Sequence, residues 1–137
     1  MNRIVFLGSL LFVLISCSKQ PECESFKVGS FIVPIDTEGG EPYRIIRKDS
    51  LQTEIDSKGV KIYSTISWLS KCSYVLKYDE NKMKLKDYQK QINSVGGLIV
   101  NVTKTDGNCF YFTSKIKGEA ESERIDGVMC KDTKLSF

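Results

Sequence analysis

Histidine is absent from the 137 residues, and tryptophan occurs only once. Without an imidazole, a Ser or Cys nucleophile lacks its usual general base. A tetrahedral zinc site loses one of its two commonest ligand types, and no two of the five cysteines fall within the C-x₂₋₄-C spacing such a site favours. No metal and no cofactor is therefore expected. Gly29, Gly39-Gly40 and Gly96-Gly97 read as turn or bulge residues, because no Gly-x-Gly-x-x-Gly follows a strand into a helix to cradle a phosphate. One-sided charge is missing too. Twenty Lys and Arg stand against 17 Asp and Glu, a formal charge of +3 with the signs interspersed. Nucleic-acid binding, which needs a concentrated basic face, is thereby disfavoured.

Long apolar runs are also lacking. The longest, Ile4 to Ile15, is about a dozen residues, short of the roughly 20 that span a bilayer. With Arg3 before it and Ser16-Cys17 closing it, this segment has the parts of a secretory signal. A cysteine directly after such a core resembles the lipobox of bacterial lipoproteins. That likeness implies cleavage before Cys17 and acylation of its thiol. The alternative is an ordinary cleaved signal with a free Cys17. Two or three acyl chains hold a protein stably at a membrane, whereas one holds it marginally. By the same likeness, Ser18 rather than Asp beside the anchor favours the outer membrane, with the periplasmic and surface faces both open.

Residues 1–16 are thus expected to be signal, 17–25 an acylated cysteine and tether, and 26–137 one small domain. The mature chain has 137 − 16 = 121 residues, loses only Arg3 among its charges and carries 19 − 17 = +2. Setting Cys17 aside leaves Cys23, Cys72, Cys109 and Cys130, an even number in an oxidising compartment, so two disulfides are expected. Three pairings are possible. Cys23–Cys72 with Cys109–Cys130 is preferred: one bond would tie the start of the fold to its middle, the other would clip the C-terminal segment onto a preceding strand.

Past the tether the chain reads as short strands. Phe26 to Pro34 leads into the turn-forming Glu38-Gly39-Gly40-Glu41-Pro42. Tyr43 to Arg47 and Leu51 to Ile55 flank a tight Lys48-Asp49-Ser50 turn. Lys61 to Leu69 alternates, with Ile62, Ser64, Ile66 and Trp68 on one face, and Cys72 to Tyr78 puts Tyr74, Leu76 and Tyr78 on one side. Asp79 to Asn93 is loosely helical in spacing, and Asp79-Glu80-Asn81 could cap it. Leu98 to Thr105 and Cys109 to Ile116 flank Asp106-Gly107-Asn108, a strong hairpin signal. A last strand is expected within Ser122 to Lys131. Strands in this meander order predict an all-β antiparallel fold with minor helix: a lipocalin-like barrel or half-barrel, with a β-sandwich as runner-up.

Three stretches then carry a resemblance. Cys23-Glu-Ser-Phe-Lys-Val-Gly-Ser-Phe31, Ile46-Arg-Lys-Asp-Ser-Leu-Gln52, and Ile66-Ser-Trp68 with Cys72-Ser-Tyr-Val-Leu76 resemble, in order and spacing, a family of small secreted or lipid-anchored Bacteroidetes proteins. The likeness covers the N-terminal half of the mature chain, and the rest only in strand order. It implies no activity, because the family has none established. Some members are labelled DNA topoisomerase IV, which a short exported chain without an ATP-binding glycine loop does not support. The resemblance strengthens Cys23–Cys72, whose cysteines both lie in shared motifs. Cys109–Cys130 rests on parity.

Catalytic constellations are thin. Ser114-Lys-Ile-Lys117 matches Ser-x-x-Lys but falls at a strand end, where residues three apart face opposite ways. Glu119, Glu121 and Glu123 alternate and would line one strand face, which suits a solvated edge better than a glycosidase pair. Asn101-Val-Thr103 is a formal glycosylation sequon of little weight in a bacterium. Arg44 and Arg47, on opposite strand faces, read as solvated or edge-protecting. Trp68 is the residue of most interest. It either floors a ligand pocket, with Tyr74, Tyr78 and Tyr111 offering hydroxyls at the rim, or packs in the core against the Cys23–Cys72 bridge. The expected function is a non-enzymatic binding or structural module of the cell envelope, held to the membrane by its lipid and partnered by an envelope protein or a small apolar ligand. A carrier of an apolar molecule in a half-open barrel is the alternative, and an envelope hydrolase the weakest reading.

Overall fold

The computed structural model describes residues 21–34 and 41–135, so the signal segment and Cys17 lie outside the described residues. Eight strands follow one another: β1 (Gly29–Val33), β2 (Tyr43–Lys48), β3 (Leu51–Ile55), β4 (Lys61–Trp68), β5 (Ser73–Tyr78), β6 (Leu98–Asp106), β7 (Cys109–Ile116) and β8 (Ile125–Lys131). Each pairs antiparallel with the next, and β8 returns to β1 through Phe31 opposite Lys131 and Ile32 opposite Cys130. The result is a closed barrel in simple up-and-down order, which removes every free sheet edge. The half-barrel and sandwich alternatives do not occur.

Local chemistry explains the turns. The β2–β3 connection is the two residues Asp49-Ser50, and Asp49 takes a positive φ of 51° that Asp tolerates better than most side chains. The β6–β7 reversal uses Gly107, at φ 56°. A bulge between Val102 and Lys104 bends β6 as it wraps the barrel. Opposite Phe112 on β8 sits Gly127. A Cβ there would lie 2.4 Å from the Phe112 ring, so only glycine lets that ring cross the strand.

The helix differs from expectation. It spans α1 (Asp87–Ser94), eight residues beyond the Asp79-Glu80-Asn81 cap. Asp79 instead closes a turn, accepting from the Asn81 backbone N–H at 3.0 Å. The helix start is held by Gln89, whose Oε1 accepts from the Lys86 backbone N–H at 2.9 Å. Asn93 then straps α1 to the end of β5, accepting from the Tyr78 N–H and donating to its carbonyl, each at 2.9 Å. No helix among the described residues is long and apolar enough to cross a membrane.

Both disulfides form with the preferred pairing, Cys23–Cys72 and Cys109–Cys130. They enclose 49 and 21 residues of sequence. In the chain-entropy picture, such loops contribute about 4 and about 3 kcal/mol by restricting the unfolded chain. Two such bonds point to an extracytoplasmic domain.

Candidate functional site

Strand alternation sends one residue in two toward the barrel axis. The register makes Phe31, Ile45, Glu54 and Ile62 neighbours on the inner face, and likewise Gly29, Arg47, Gln52, Ser64 and Tyr78. Trp68 opposite Tyr74, and Tyr74 opposite Val100, complete the wall.

The interior differs between its ends. The chain enters at the end where β1 begins. There a 3₁₀ turn, Glu24–Phe26, drops Phe26 into the lumen as a plug. Its ring meets Phe110 edge-on at 4.5 Å and Phe31 at 6.1 Å. Phe31, Phe110 and Tyr74 are almost wholly buried, and so is Arg47, at 1% exposure. Burying an unpaired cation would be prohibitive, so its partners matter. Nε donates to Gln52 Oε1 at 2.8 Å, Nη1 to the Phe26 carbonyl at 3.0 Å, and Nη2 to the Tyr74 hydroxyl. The guanidinium carbon also lies 4.7 Å from the Tyr74 ring centroid, and within 6 Å of Phe31 and Phe110, a desolvated cation–π cage. Gln52 passes the contact on, its Nε2 donating to Glu54 Oε1 at 3.0 Å.

Arg47 is the residue sequence reasoning missed. It was expected to be solvated or edge-protecting. It does lie on the face opposite Arg44, but that face is the inner one, shared with Tyr43 and Ile45. The signal was present: in the tight hairpin, Arg47 falls opposite Gln52, an amide able to receive it. Arg44 points outward and meets Asp132 at 3.5 Å.

At the opposite end the inner-face side chains of Tyr43, Glu54, Ile62, Tyr78, Leu98 and Ile116 are only half-buried, and Ile125 is 69% exposed. A cavity of about 190 Å³ opens there, lined by Tyr43, Glu54, Val60 and Ile62 together with Glu41 and Asp56. Burial pushes the Glu54 carboxyl above its ordinary value, against the lowering influence of the Gln52 hydrogen bond and of Arg47. Burial also raises the Tyr74 hydroxyl, despite the Arg47 charge beside it. Tyr78 is pushed up to about 12, by burial first and by the Glu54 charge second. Glu54 thus couples electrically to both tyrosines across the lumen.

The four residues proposed as a pocket are only partly brought together. The Trp68 and Tyr74 rings meet at a tilt, centroids 4.9 Å apart, near the plugged end. Tyr78 lies farther along the same wall toward the open end, edge-on to Tyr88 of α1 at 6.4 Å. Tyr111 is on the outer face of β7, because the alternation that turns Phe110 and Phe112 inward turns it outward. It is 40% exposed, with Lys104 over its ring. Ser114 sits on β7, whereas Lys117 lies beyond the strand. Glu121 to Glu123 form an exposed 3₁₀ turn rather than a strand face, and Glu121 pairs with Lys115.

Comparison of the chain with family models, with curated proteins and with solved structures found no match. The geometry alone defines the class: a disulfide-tied, closed, eight-stranded antiparallel barrel with one plugged end.

Proposed function

We propose that this chain is a cell-envelope lipoprotein, anchored through Cys17 at the outer membrane, whose barrel is a non-enzymatic binding module. Its site is the end away from the plug, and its ligand is a small, largely apolar molecule. The observation that carries this reading is the asymmetry of the lumen. At the end away from the plug, the half-buried inner-face residues Tyr43 and Ile62 line a cavity that has the Glu54 carboxyl in its wall. An eight-stranded barrel has room for packed side chains or for one small ligand, and the plugged end has used that room for side chains. At about 190 Å³ the cavity is below the usual range for drug-sized ligands, roughly 300–1,000 Å³. The bound molecule is correspondingly small, or enters with one end only. A long-chain carrier would need the space that Arg47, Phe31 and Phe110 occupy. The likeness to small lipid-anchored Bacteroidetes proteins supports the envelope setting.

The test has two parts. Intact-mass analysis of the chain purified from membranes should show residues 1–16 removed and Cys17 acylated. The apolar dye N-phenyl-1-naphthylamine should then fluoresce on binding the protein. Ile62→Trp, which fills the mouth, should abolish that signal, while Leu51→Trp on the outer wall leaves it intact. Dye binding indifferent to Ile62→Trp would remove the open-end site.

A further inference from the structure

The plugged end carries a surface that the packing of the barrel does not require. Leu69, in the β4–β5 turn, is 61% exposed, Val28, just before β1, is 59% exposed, and Leu51, at the β2–β3 hairpin, is 38% exposed. These residues belong to one rim. Lys27 Nζ sits 5.0 Å over the Trp68 ring, which brings the segment before β1 to the end of β4. The Ser50 carbonyl accepts from the Ile66 N–H at 2.7 Å, which brings the hairpin to the end of β4. Lys48 and Lys71 are exposed on the same rim. Lys27 is partly neutralised by Glu24 at 2.9 Å.

The chain itself indicates what covers this rim. The described structure begins at Pro21, and Pro21 lies at the plugged end: its carbonyl oxygen sits 3.5 Å from Sγ of the disulfide-bonded Cys72, next to the Leu69–Lys71 turn. Cys17 is four residues earlier, a reach of at most about 14 Å even when fully extended. A thiol acylated at that position cannot enter a bilayer without bringing the plugged end to its surface, while the open end points away.

We infer that the plugged-end rim is a membrane-resting face: Val28 and Leu69 enter the interfacial layer of an anionic phospholipid bilayer, and Lys48 and Lys71 lie against its phosphates. Exposed apolar side chains flanked by lysines suit the interfacial layer, where apolar burial and attraction to anionic lipid act together. The face would hold the barrel upright and turn its open mouth toward the aqueous compartment. This inference rests on the anchor reading, and the experiment separates the two.

Trp68, the single tryptophan, stands beside Leu69 and reports on the face directly. The full chain purified from membranes is checked by intact mass and reconstituted into vesicles of phosphatidylcholine with phosphatidylglycerol, with and without brominated acyl chains. Bromolipid should quench Trp68. The double variant Val28→Glu/Leu69→Glu, still acylated and still vesicle-bound, should lose that quenching, whereas Val60→Glu at the far rim should keep it. An acylated chain whose Trp68 is unquenched overturns the membrane-resting face and leaves the anchor standing. An unacylated Cys17 overturns the anchor, and this inference with it.

Discussion

The two ends of this barrel are built from the same kind of strand and come out differently. At the plugged end, Phe26, Phe31, Phe110 and Tyr74 are packed to near-zero exposure around Arg47, whose guanidinium is held at three corners. At the other end, Tyr43, Ile62, Tyr78 and Leu98 face the lumen but are only half-covered. What separates the ends is not strand composition. A short segment outside the sheet, Glu24–Phe26, enters the lumen at one end and is tied there by Cys23–Cys72 and by the bond from Arg47 to the Phe26 carbonyl. A barrel of this size is a neutral container. Which end is core and which is site depends on which end receives a plug.

That contrast can be broken most forcefully at Arg47. Arg47→Ala removes the clamp on Phe26 and orphans Gln52 and Tyr74. Leaving buried polar partners unpaired in this way costs about 1–3 kcal/mol for each group, read together as a lower urea midpoint. Removing Cys23–Cys72 by a double Ser substitution should cost about 4 kcal/mol, against about 3 for Cys109–Cys130. Only the first should also unseat the plug, seen as a change in Trp68 fluorescence, because Lys27 and Cys72 are its neighbours along the chain or in space.

Effects at the open end are smaller and show up with pH. The Tyr78 hydroxyl has its pKa raised from 10.0 to about 12. Its neutral form therefore favours the fold below pH 10, and that contribution is lost as pH rises from 10 toward 12. Tyr78→Phe should flatten the loss of thermal stability across that interval. Glu54 gives the smallest effect, of the same sign but in a lower pH interval. Its pKa is also raised, so the carboxyl favours the fold only when protonated, and the advantage disappears as pH climbs through its native value. Glu54→Gln should raise the melting temperature at pH 7 and have little effect below the ordinary glutamate value of 4.5.

The strands and their faces were legible in the sequence because each has a local signature, whereas the disulfide pairing rested on the even cysteine count and, for Cys23–Cys72, on the resemblance. Alternation in Ile62, Ser64, Ile66 and Trp68 shows the inner wall, and Asp106-Gly107 announces a hairpin. Meander order suggested a barrel, and the β1–β8 pairing closes it over only a few residues, a long-range contact without local signature. Arg47 escaped because a charged residue in a short strand is ordinarily a surface residue. Its burial depends on Gln52, Tyr74 and a carbonyl 21 residues upstream converging in space. The helix begins later than the Asp79-Glu80-Asn81 signal suggests, because Asp79 caps a turn as readily as a helix. The asymmetry of the lumen was hidden entirely, since it comes from where Phe26 goes and not from any strand.

The most direct test of the open-end site is an amide-resolved NMR titration of the barrel with N-phenyl-1-naphthylamine. The account predicts shifts at Tyr43, Glu54, Val60 and Ile62, with Phe31, Arg47 and Phe110 unmoved. Shifts centred on the Phe26 plug, or on the outer face around Tyr111, would contradict it.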